Sequence, residues 1–421
     1  MVSRLRTDNE KSDKTPGLII NNDEVTGYKA IPKETSVEIP EGITRIGWGA
    51  FADQHHLRRI KLPSTLKEIH PDAFKFCTSL EEIEIPEGVE LLNSYAFCGC
   101  YSLRKINLPS TLKYIAEYVF AYCSSLKYID LPKGLEDIEK AAFDGCSSLR
   151  EITVPGGVKI IKDSLFIRCS SLRKVVLCEE IEEVCSSSFL HCPVLDTIDW
   201  PNSLRSIDNW ICDEVGIKPF SNTLLPQRIQ GDFVIIGNGI LFEYRGSAAR
   251  VIIPQNVRII NCGAFRNNTY IRTVIAFEGL ISIGDYAFSG CSSLMEIHLP
   301  KGLEHVGYCA FEGCSSLSSI KIPGDINKLF SGVFKDCTSL YKAELGEGIE
   351  EIGSLTFYGC SSLQQLKLPN GLKKIGSYAF SGCTSLIKID IPETVTEIDE
   401  EAFSGTPWLK INTYSSFYVD R

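Results

Sequence analysis

A phenylalanine returns every 23 residues along most of the chain, in two runs of seven. Six residues after each phenylalanine stands a leucine or isoleucine, without exception in fourteen units. A fixed period of this length predicts a solenoid, in which each repeat buries its apolar side on the next one. The fourteen phenylalanines are Phe51, Phe74, Phe97, Phe120, Phe143, Phe166, Phe189, Phe265, Phe288, Phe311, Phe334, Phe357, Phe380 and Phe403.

Residues 141–161 show the pattern of one repeat almost complete. Leu149, Ile152 and Val154 precede Pro155, and this apolar spacing predicts a short strand that ends at the proline, where no backbone donor is needed. The second half of the repeat predicts another short extended or turn segment that brings the chain back. A lone repeat buries too little apolar surface to stand alone, so we expect stability to grow with the number of stacked repeats.

The recurring G-C-S-S-L turn, the I-x-L-P strand end and the I-x-x-x-A-F return resemble the bacterial surface antigen A (BspA) type of leucine-rich repeat. The resemblance covers about residues 17–409. It implies an α/β-class repeat protein, mostly β, that forms a right-handed curved solenoid with a parallel sheet on its concave face. It also implies a binding or adhesive role rather than catalysis, often at a cell surface.

The pattern divides the chain into segments. We expect a polar tail at 1–16, an N-terminal cap with a hairpin at 17–50, a first array at 51–207 and a linker at 208–230. A second cap-like hairpin follows at 231–264, then a second array at 265–409 and a C-terminal cap at 410–421. The second block repeats the first 214 residues later, with Val251 and Phe265 matching Val37 and Phe51. Whether the two arrays form one continuous solenoid is left open by the sequence.

Composition limits the functional classes. The chain of 421 residues is 44% hydrophobic, which is enough for an ordered core. Its net charge of −10 disfavours general binding of nucleic acid. No apolar run reaches 18 residues, so no membrane span is expected. The N-terminus lacks the apolar core of a signal peptide, so the chain as given predicts a cytoplasmic protein; if a signal has been removed, the resemblance implies secretion or the cell surface.

Eleven of the seventeen cysteines stand three residues after a repeat phenylalanine. They are Cys77, Cys100, Cys123, Cys146, Cys169, Cys192, Cys291, Cys314, Cys337, Cys360 and Cys383. In a stacked solenoid they form a ladder, and we expect buried free thiols that act as compact apolar side chains. Disulfides between turns are the alternative, but side chains at one register point in parallel.

No enzyme signature is present. The six histidines are scattered over different registers, and no nucleophile elbow, P-loop, H-E-x-x-H or dinucleotide motif occurs. Cys178, Cys185, His191 and Cys192 are the only local cluster of metal-ligand types, but Cys192 belongs to the ladder and no C-x-x-C pair exists. We therefore predict a non-enzymatic protein without a metal or cofactor.

The strand positions between buried residues are the candidate binding surface, on the face that the resemblance makes concave. In the first array the opening rows alternate in charge, which favours pairing across strands, although a charged partner remains an alternative. The second array is less charged and offers exposed apolar anchors for a protein ligand, although a merely solvated face is the alternative. The candidate residues are Met295, His298, Tyr341, Lys342, Gln365, Ile387, Tyr128 and Arg104.

Two settings remain open for such a protein ligand. The first is an adhesin that binds a host extracellular protein, and the second is an intracellular interaction scaffold. Carbohydrate binding is less favoured, because Tyr128 and Tyr341 are too far apart to form an aromatic cluster.

Overall fold

The computed structural model describes residues 17–31, 33–185, 187–207, 220, 222–225 and 229–408. Its elements with defined bounds are all short strands. In the first half they are β1 (Gly17–Asn21), β2 (Glu24–Lys29), β3 (Ser36–Glu38), β4 (Arg45–Ile46), β5 (Arg59–Lys61), β6 (Glu68–Ile69), β7 (Glu82–Glu84), β8 (Leu91–Leu92), β9 (Lys105–Asn107), β10 (Tyr114–Ile115), β11 (Asp137–Ile138), β12 (Glu151–Val154), β13 (Ile160–Ile161), β14 (Lys174–Leu177), β15 (Glu183–Val184), β16 (Thr197–Asp199) and β17 (Ser206–Ile207).

In the second half they are β18 (Phe233–Ile236), β19 (Ile240–Tyr244), β20 (Arg250–Ile252), β21 (Ile259–Ile260), β22 (Thr273–Ile275), β23 (Ser282–Ile283), β24 (Glu296–His298), β25 (His305–Val306), β26 (Ser319–Lys321), β27 (Lys328–Leu329), β28 (Lys342–Glu344), β29 (Glu351–Ile352), β30 (Gln365–Lys367), β31 (Lys374–Ile375) and β32 (Glu397–Ile398). The predicted mostly β solenoid of stacked 23-residue coils is confirmed.

Most repeats contribute two strands, which pair in parallel with the equivalent strands of their neighbours. The strand after the repeat leucine forms sheets such as β3-β5-β7-β9 and β26-β28-β30. The second segment of the repeat, expected to be extended or a turn, is extended and forms its own sheets, such as β27-β29-β31-β32. Residues 23 positions apart are partners, as Ile152 is with Val175. Each register of the repeat therefore becomes a row of side chains spaced about 4.8 Å apart.

A ladder of stacked phenylalanine rings forms the core of each array. Neighbouring repeat rings lie 4.7 to 5.9 Å apart between centroids. Aromatic residues outside the fourteen repeat positions continue both stacks at their ends: Tyr28 on Phe51, Phe220 on Phe189, Tyr244 on Phe265 and Trp408 on Phe403. These rings cover faces that a terminal phenylalanine would otherwise expose to water.

The eleven ladder cysteines are buried, and each donates its thiol hydrogen to the backbone carbonyl of a phenylalanine in the preceding coil. In one example Cys146 Sγ lies 3.1 Å from the Phe120 oxygen, which also accepts from the Cys123 amide. The cysteines of the described part are free thiols, so buried thiols are confirmed for the ladder. The side chain does more than fill space, because its hydrogen bond joins successive coils.

A glycine stands two residues after many of the repeat phenylalanines, because the backbone at that position adopts a left-handed conformation with positive φ. Gly99 has φ +73°, and a Cβ on it would lie 2.2 Å from the Phe76 ring of the preceding coil. Gly145 has φ +67° and faces the Tyr122 ring in the same way. In this part of the first array, the position two residues after the repeat phenylalanine therefore alternates from coil to coil between a large side chain and glycine.

The chain forms two compact units. Unit 1 comprises Met1–Ile181, Ser187–Asp199 and Phe220–Leu224, and unit 2 comprises Glu182–Ser186, Trp200–Pro219 and Leu225–Arg421. The described part of unit 1 begins with the antiparallel hairpin β1-β2, and unit 2 contains the antiparallel hairpin β18-β19. The segments 1–16 and 410–421 of the sequence interpretation, and most of 208–230, lie outside the described residues.

Candidate functional site

One row of exposed side chains runs along the first strands of each array. We define the outward row as the residues directly after the repeat leucine or isoleucine. In the second array this row contains Met295, Tyr341 and Ile387, whose exposed fractions are 53%, 42% and 63%. Of the other candidates, Lys342 and Gln365 follow the outward row by one position, on β28 and β30. The structure thus places these five candidates at solvent-accessible positions on the first segments of four coils of unit 2.

Backbone hydrogen bonds fix the order along this row. The amide of Tyr341 donates to Ser318 O at 2.9 Å, and the amide of Gln364 donates to Tyr341 O at 3.0 Å. Ser318 and Gln364 therefore separate the apolar residues, so Met295, Tyr341 and Ile387 stand on every second coil. At strand spacing they lie about 10 Å apart.

A hydrogen bond orients the central aromatic residue. Gln365 Nε2 donates to the hydroxyl of Tyr341 at 2.9 Å. This contact brings two candidate residues together and ties the exposed ring to the neighbouring strand. An aromatic side chain held in this way loses little conformational entropy on binding.

A groove of about 590 Å³ lies beside this row. Charged residues that line the groove form ion pairs with one another. Lys342 Nζ lies 2.6 Å from Glu344 Oε1, and Lys388 Nζ lies 3.5 Å from Asp390 Oδ1. The hydrogen bond from Lys342 lowers the pKa of Glu344. His298 does not line the groove; it lies on β24, with Nε2 3.1 Å from Glu296 Oε1.

The two candidates of the first array lie in unit 1 on the same kind of face. Tyr128 is 50% exposed and lines a second groove of about 370 Å³ with residues that include Glu151 and Lys174. Arg104 is exposed in the outward row, and the structure does not place it in this groove.

The first two of the three opening rows of the first array pair by charge as the sequence pattern predicts, whereas Arg104 and Lys105 of the third row form no ion pair within the described residues. Arg59 Nε lies 2.8 Å from Glu82 Oε1, and Lys61 Nζ lies 2.5 Å from Glu38 Oε1. These side chains are exposed, so each pair contributes little to stability.

The described residues contain no group of three or more histidine, cysteine or acidic side chains placed to hold a metal ion. In the suggested cysteine–histidine cluster, Cys192 donates to Phe166 O and His191 Nδ1 lies 3.2 Å from Asn222 Nδ2. No helix of the described part has the length and apolar character to cross a bilayer.

Comparison with known proteins decides the family. A family model for the BspA-type leucine-rich repeat region matches residues 28–116, 90–218, 235–363 and 330–419, which together cover most of the chain. The chain belongs to the BspA-type leucine-rich repeat family. Proteins of this family are repeat scaffolds that generally mediate protein interactions or adhesion.

Solved structures similar to this BspA-type protein come from several bacteria. A leucine-rich repeat protein from Bacteroides ovatus is 27% identical over 95% of this chain and 99% of that one, with a TM-score of 0.48. A Treponema pallidum leucine-rich repeat protein is 30% identical over 43% of this chain and 89% of that one, with a TM-score of 0.41. A leucine rich cell surface protein from Faecalibacterium prausnitzii is 23% identical over 94% and 95%, with a TM-score of 0.34. No curated protein matches the chain significantly.

This BspA-type protein also has a polar cluster that the sequence analysis missed. Asp144 is only 3% exposed, and Arg168 Nε donates to its Oδ1 at 2.9 Å. Arg168 Nη2 also donates to the Tyr122 hydroxyl at 2.9 Å. The hydrogen bond to Asp144 raises the pKa of Arg168. The residues are 22 to 46 positions apart and depart from the repeat consensus, so no sequence pattern pointed to their contact.

We expect Arg168→Ala to destabilise the BspA-type protein by about 2 to 3 kcal/mol, because the buried Asp144 carboxylate loses its charged partner. Adding Asp144→Asn in the same chain should recover much of this loss, since the uncompensated charge is then removed. Urea unfolding at pH 7 measures both free energies. A loss below about 0.5 kcal/mol in the single variant, as expected of ordinary surface substitutions, contradicts the assignment.

Proposed function

We propose that this protein is a non-enzymatic protein-binding scaffold or adhesin, which holds a protein ligand on the outward row of the second array. The observation that carries the proposal is the spacing of Met295, Tyr341 and Ile387, which are exposed on every second coil at one register of the repeat. Large apolar side chains in such an arrangement match the way protein interfaces concentrate binding energy in a few anchors.

The surroundings of the anchors support the same function. Tyr341 is held by Gln365 before any partner arrives, and the charged groove beside the row supplies a polar rim. Interfaces commonly combine apolar anchors with such a rim. The side chains of Lys342 and Glu344 are already paired, so a partner that covers them does not need to neutralise either charge.

The test is a matched pair of variants in a binding experiment. The whole chain captures partners from a host extracellular extract and, in parallel, from lysate of the producing cell, and the affinity of each captured protein is then measured. We expect Tyr341→Ala with Lys342→Ala to weaken the partner at least about tenfold, which corresponds to about 1.4 kcal/mol. Tyr378→Ala is the control, because Tyr378 is 41% exposed but lies in the turn before Phe380.

The source of the partner separates the two settings. A partner from the extracellular extract that is lost only in the double variant supports the adhesin, and one from the cell's own lysate supports an intracellular scaffold. Equal binding by the parent and the double variant contradicts the proposed surface in both settings.

A further inference from the structure

Four successive coils of the first array carry a cation in the outward row. They are Arg104, Lys127, Arg150 and Arg173, and all four side chains are exposed. Backbone bonds join the last three coils at this register: the amide of Arg150 donates to Lys127 O at 3.2 Å, and that of Arg173 donates to Arg150 O at 2.8 Å. We call these four residues the basic row.

The basic row, unlike several other cations of the same face, has no ion-pair partner in the described part of the chain. Arg58, Arg59 and Lys174 each lie within 4 Å of a carboxylate on a neighbouring coil. Within the described part of the chain, no ion pair involves Arg104, Lys127, Arg150 or Arg173. Like charges on adjacent strands destabilise a sheet, so the fold itself gains nothing from this row.

A cavity opens at the end of the basic row. It has a volume of about 480 Å³ and is lined by Arg150, Ser170, Ser171, Arg173 and Val194. The Ser170 hydroxyl donates to Ser147 O at 3.3 Å, which holds that side chain against the preceding coil. Two guanidinium groups and the Ser171 hydroxyl form a set of donors suited to a carboxylate, which arginine can bind through two parallel hydrogen bonds.

We propose that the basic row binds a short acidic peptide segment in an extended conformation, with carboxylates on alternate residues. Four cations at strand spacing span about 14 Å, and side chains on one side of an extended peptide repeat about every 6.8 Å. Three alternate carboxylates therefore match the length of the row. This site lies in unit 1 and does not depend on the second-array surface of the proposed function.

The ends of the row favour a short peptide over a long polyanion. The outward row continues with Glu81 on one side and Asp196 on the other. A nucleic acid or sulfated polysaccharide running past either end meets like charge, and the net charge of −10 adds to that repulsion at long range. A segment of about five residues fits between the two carboxylates.

The test uses the full chain and a fluorescein-labelled peptide of about eight residues that alternates glutamate and threonine. Fluorescence anisotropy in low salt should show binding that weakens as salt rises, because charged contacts are screened. The same peptide with glutamine in place of glutamate should bind at least about tenfold more weakly. Arg150→Gln with Arg173→Gln should weaken the glutamate peptide by a similar factor, whereas Arg150→Lys with Arg173→Lys should retain part of the affinity because the charge remains.

Two control variants test whether the loss of peptide affinity is specific to the basic row. Arg58→Gln with Arg59→Gln alters the same face, but both arginines already pair with Glu81 and Glu82, so peptide affinity should stay within about twofold. The Tyr341→Ala, Lys342→Ala variant should also bind the peptide normally, so failure of the proposed function and failure of this site are distinguishable. The melting temperature of the Arg150→Gln, Arg173→Gln variant should not fall, because like-charge repulsion is removed.

Any of three results overturns the proposal. The first is equal binding of the glutamate and glutamine peptides. The second is an equal loss of affinity in the Arg150→Gln, Arg173→Gln variant and in the Arg58→Gln, Arg59→Gln control. The third is tighter binding of a heparin fragment or single-stranded oligonucleotide of matched charge.

Discussion

We expect the folded protein to lose most of its pH 7 stability between about pH 9 and pH 10 under reducing conditions. The cause is the ladder of buried thiols. Burial raises the pKa of Cys77, Cys192 and Cys383 to about 12. It also raises the pKa of Cys100, Cys123, Cys146, Cys169, Cys291, Cys337 and Cys360.

The sign of the effect follows from proton binding. An unfolded cysteine loses its proton near pH 8.5, whereas these folded thiols keep theirs to higher pH. Their contribution is therefore fully present below about pH 8.5 and is lost as pH rises toward the folded pKa. Each such thiol lowers the free energy of unfolding by up to about 1.4 kcal/mol per pH unit. Ten thiols together therefore lower it by up to about 14 kcal/mol per pH unit. That exceeds the whole stability of many domains, which is about 5 to 15 kcal/mol.

Urea unfolding from pH 7 to pH 10.5 with a phosphine reductant measures this slope. Cys146→Ala with Cys169→Ala should make the slope shallower by the contribution of two thiols. Leu126→Ala is the matched control, because it removes a fully buried side chain but keeps every thiol, and it should lower stability without changing the slope. Stability that is flat between pH 8 and pH 10 contradicts the role of the ladder.

We expect Phe143→Ala to lower the free energy of unfolding by about 3 to 5 kcal/mol. Phe143 is fully buried, and its ring lies 5.4 Å from that of Phe120 and 5.6 Å from that of Phe166. Truncation removes the contacts with both rings and leaves a cavity in the middle of the stack. Since coils contact only their neighbours, the two halves of the first array also become less strongly coupled.

Urea unfolding at pH 7, well below the thiol transition, measures this loss. Phe277→Ala is the control for the same chemical change, because Phe277 is 38% exposed and lies outside the ring stack. We expect it to cost less than about 1.5 kcal/mol. Comparable losses in the two variants contradict the assignment of the core.

The 23-residue period made the fold predictable in unusual detail. Because residue i pairs with residue i+23, one correct register assigns every other one, as the partners Ile152 and Val175 show. The apolar alternation of each first strand identified its exposed side, so the exposure of Met295, Tyr341 and Ile387 could be anticipated. The position of the ladder cysteines after the phenylalanines likewise predicted their burial.

The contacts of the candidate surface could be predicted only in part from the sequence. The sequence showed that Tyr341 and Gln365 are on neighbouring repeats, but only the structure shows the hydrogen bond between them. The sequence also showed which residues of the outward row are charged. Whether those charged side chains form ion pairs depends on their rotamers. Arg58 and Arg59 reach carboxylates of the next coil, while Arg150 and Arg173 border a cavity without an acidic partner.

The sequence by itself determined the repeat, its strands, its buried rows and its outward residues, because periodic burial is a local property repeated in every coil. Tertiary structure alone decided contacts that break the period. Phe220 stands 31 residues after Phe189 yet continues its ring stack, and Arg168 reaches both Asp144 and Tyr122 across coils. Such contacts depend on side-chain direction and on how far the chain departs from its repeat, and neither quantity is encoded in the hydrophobic period.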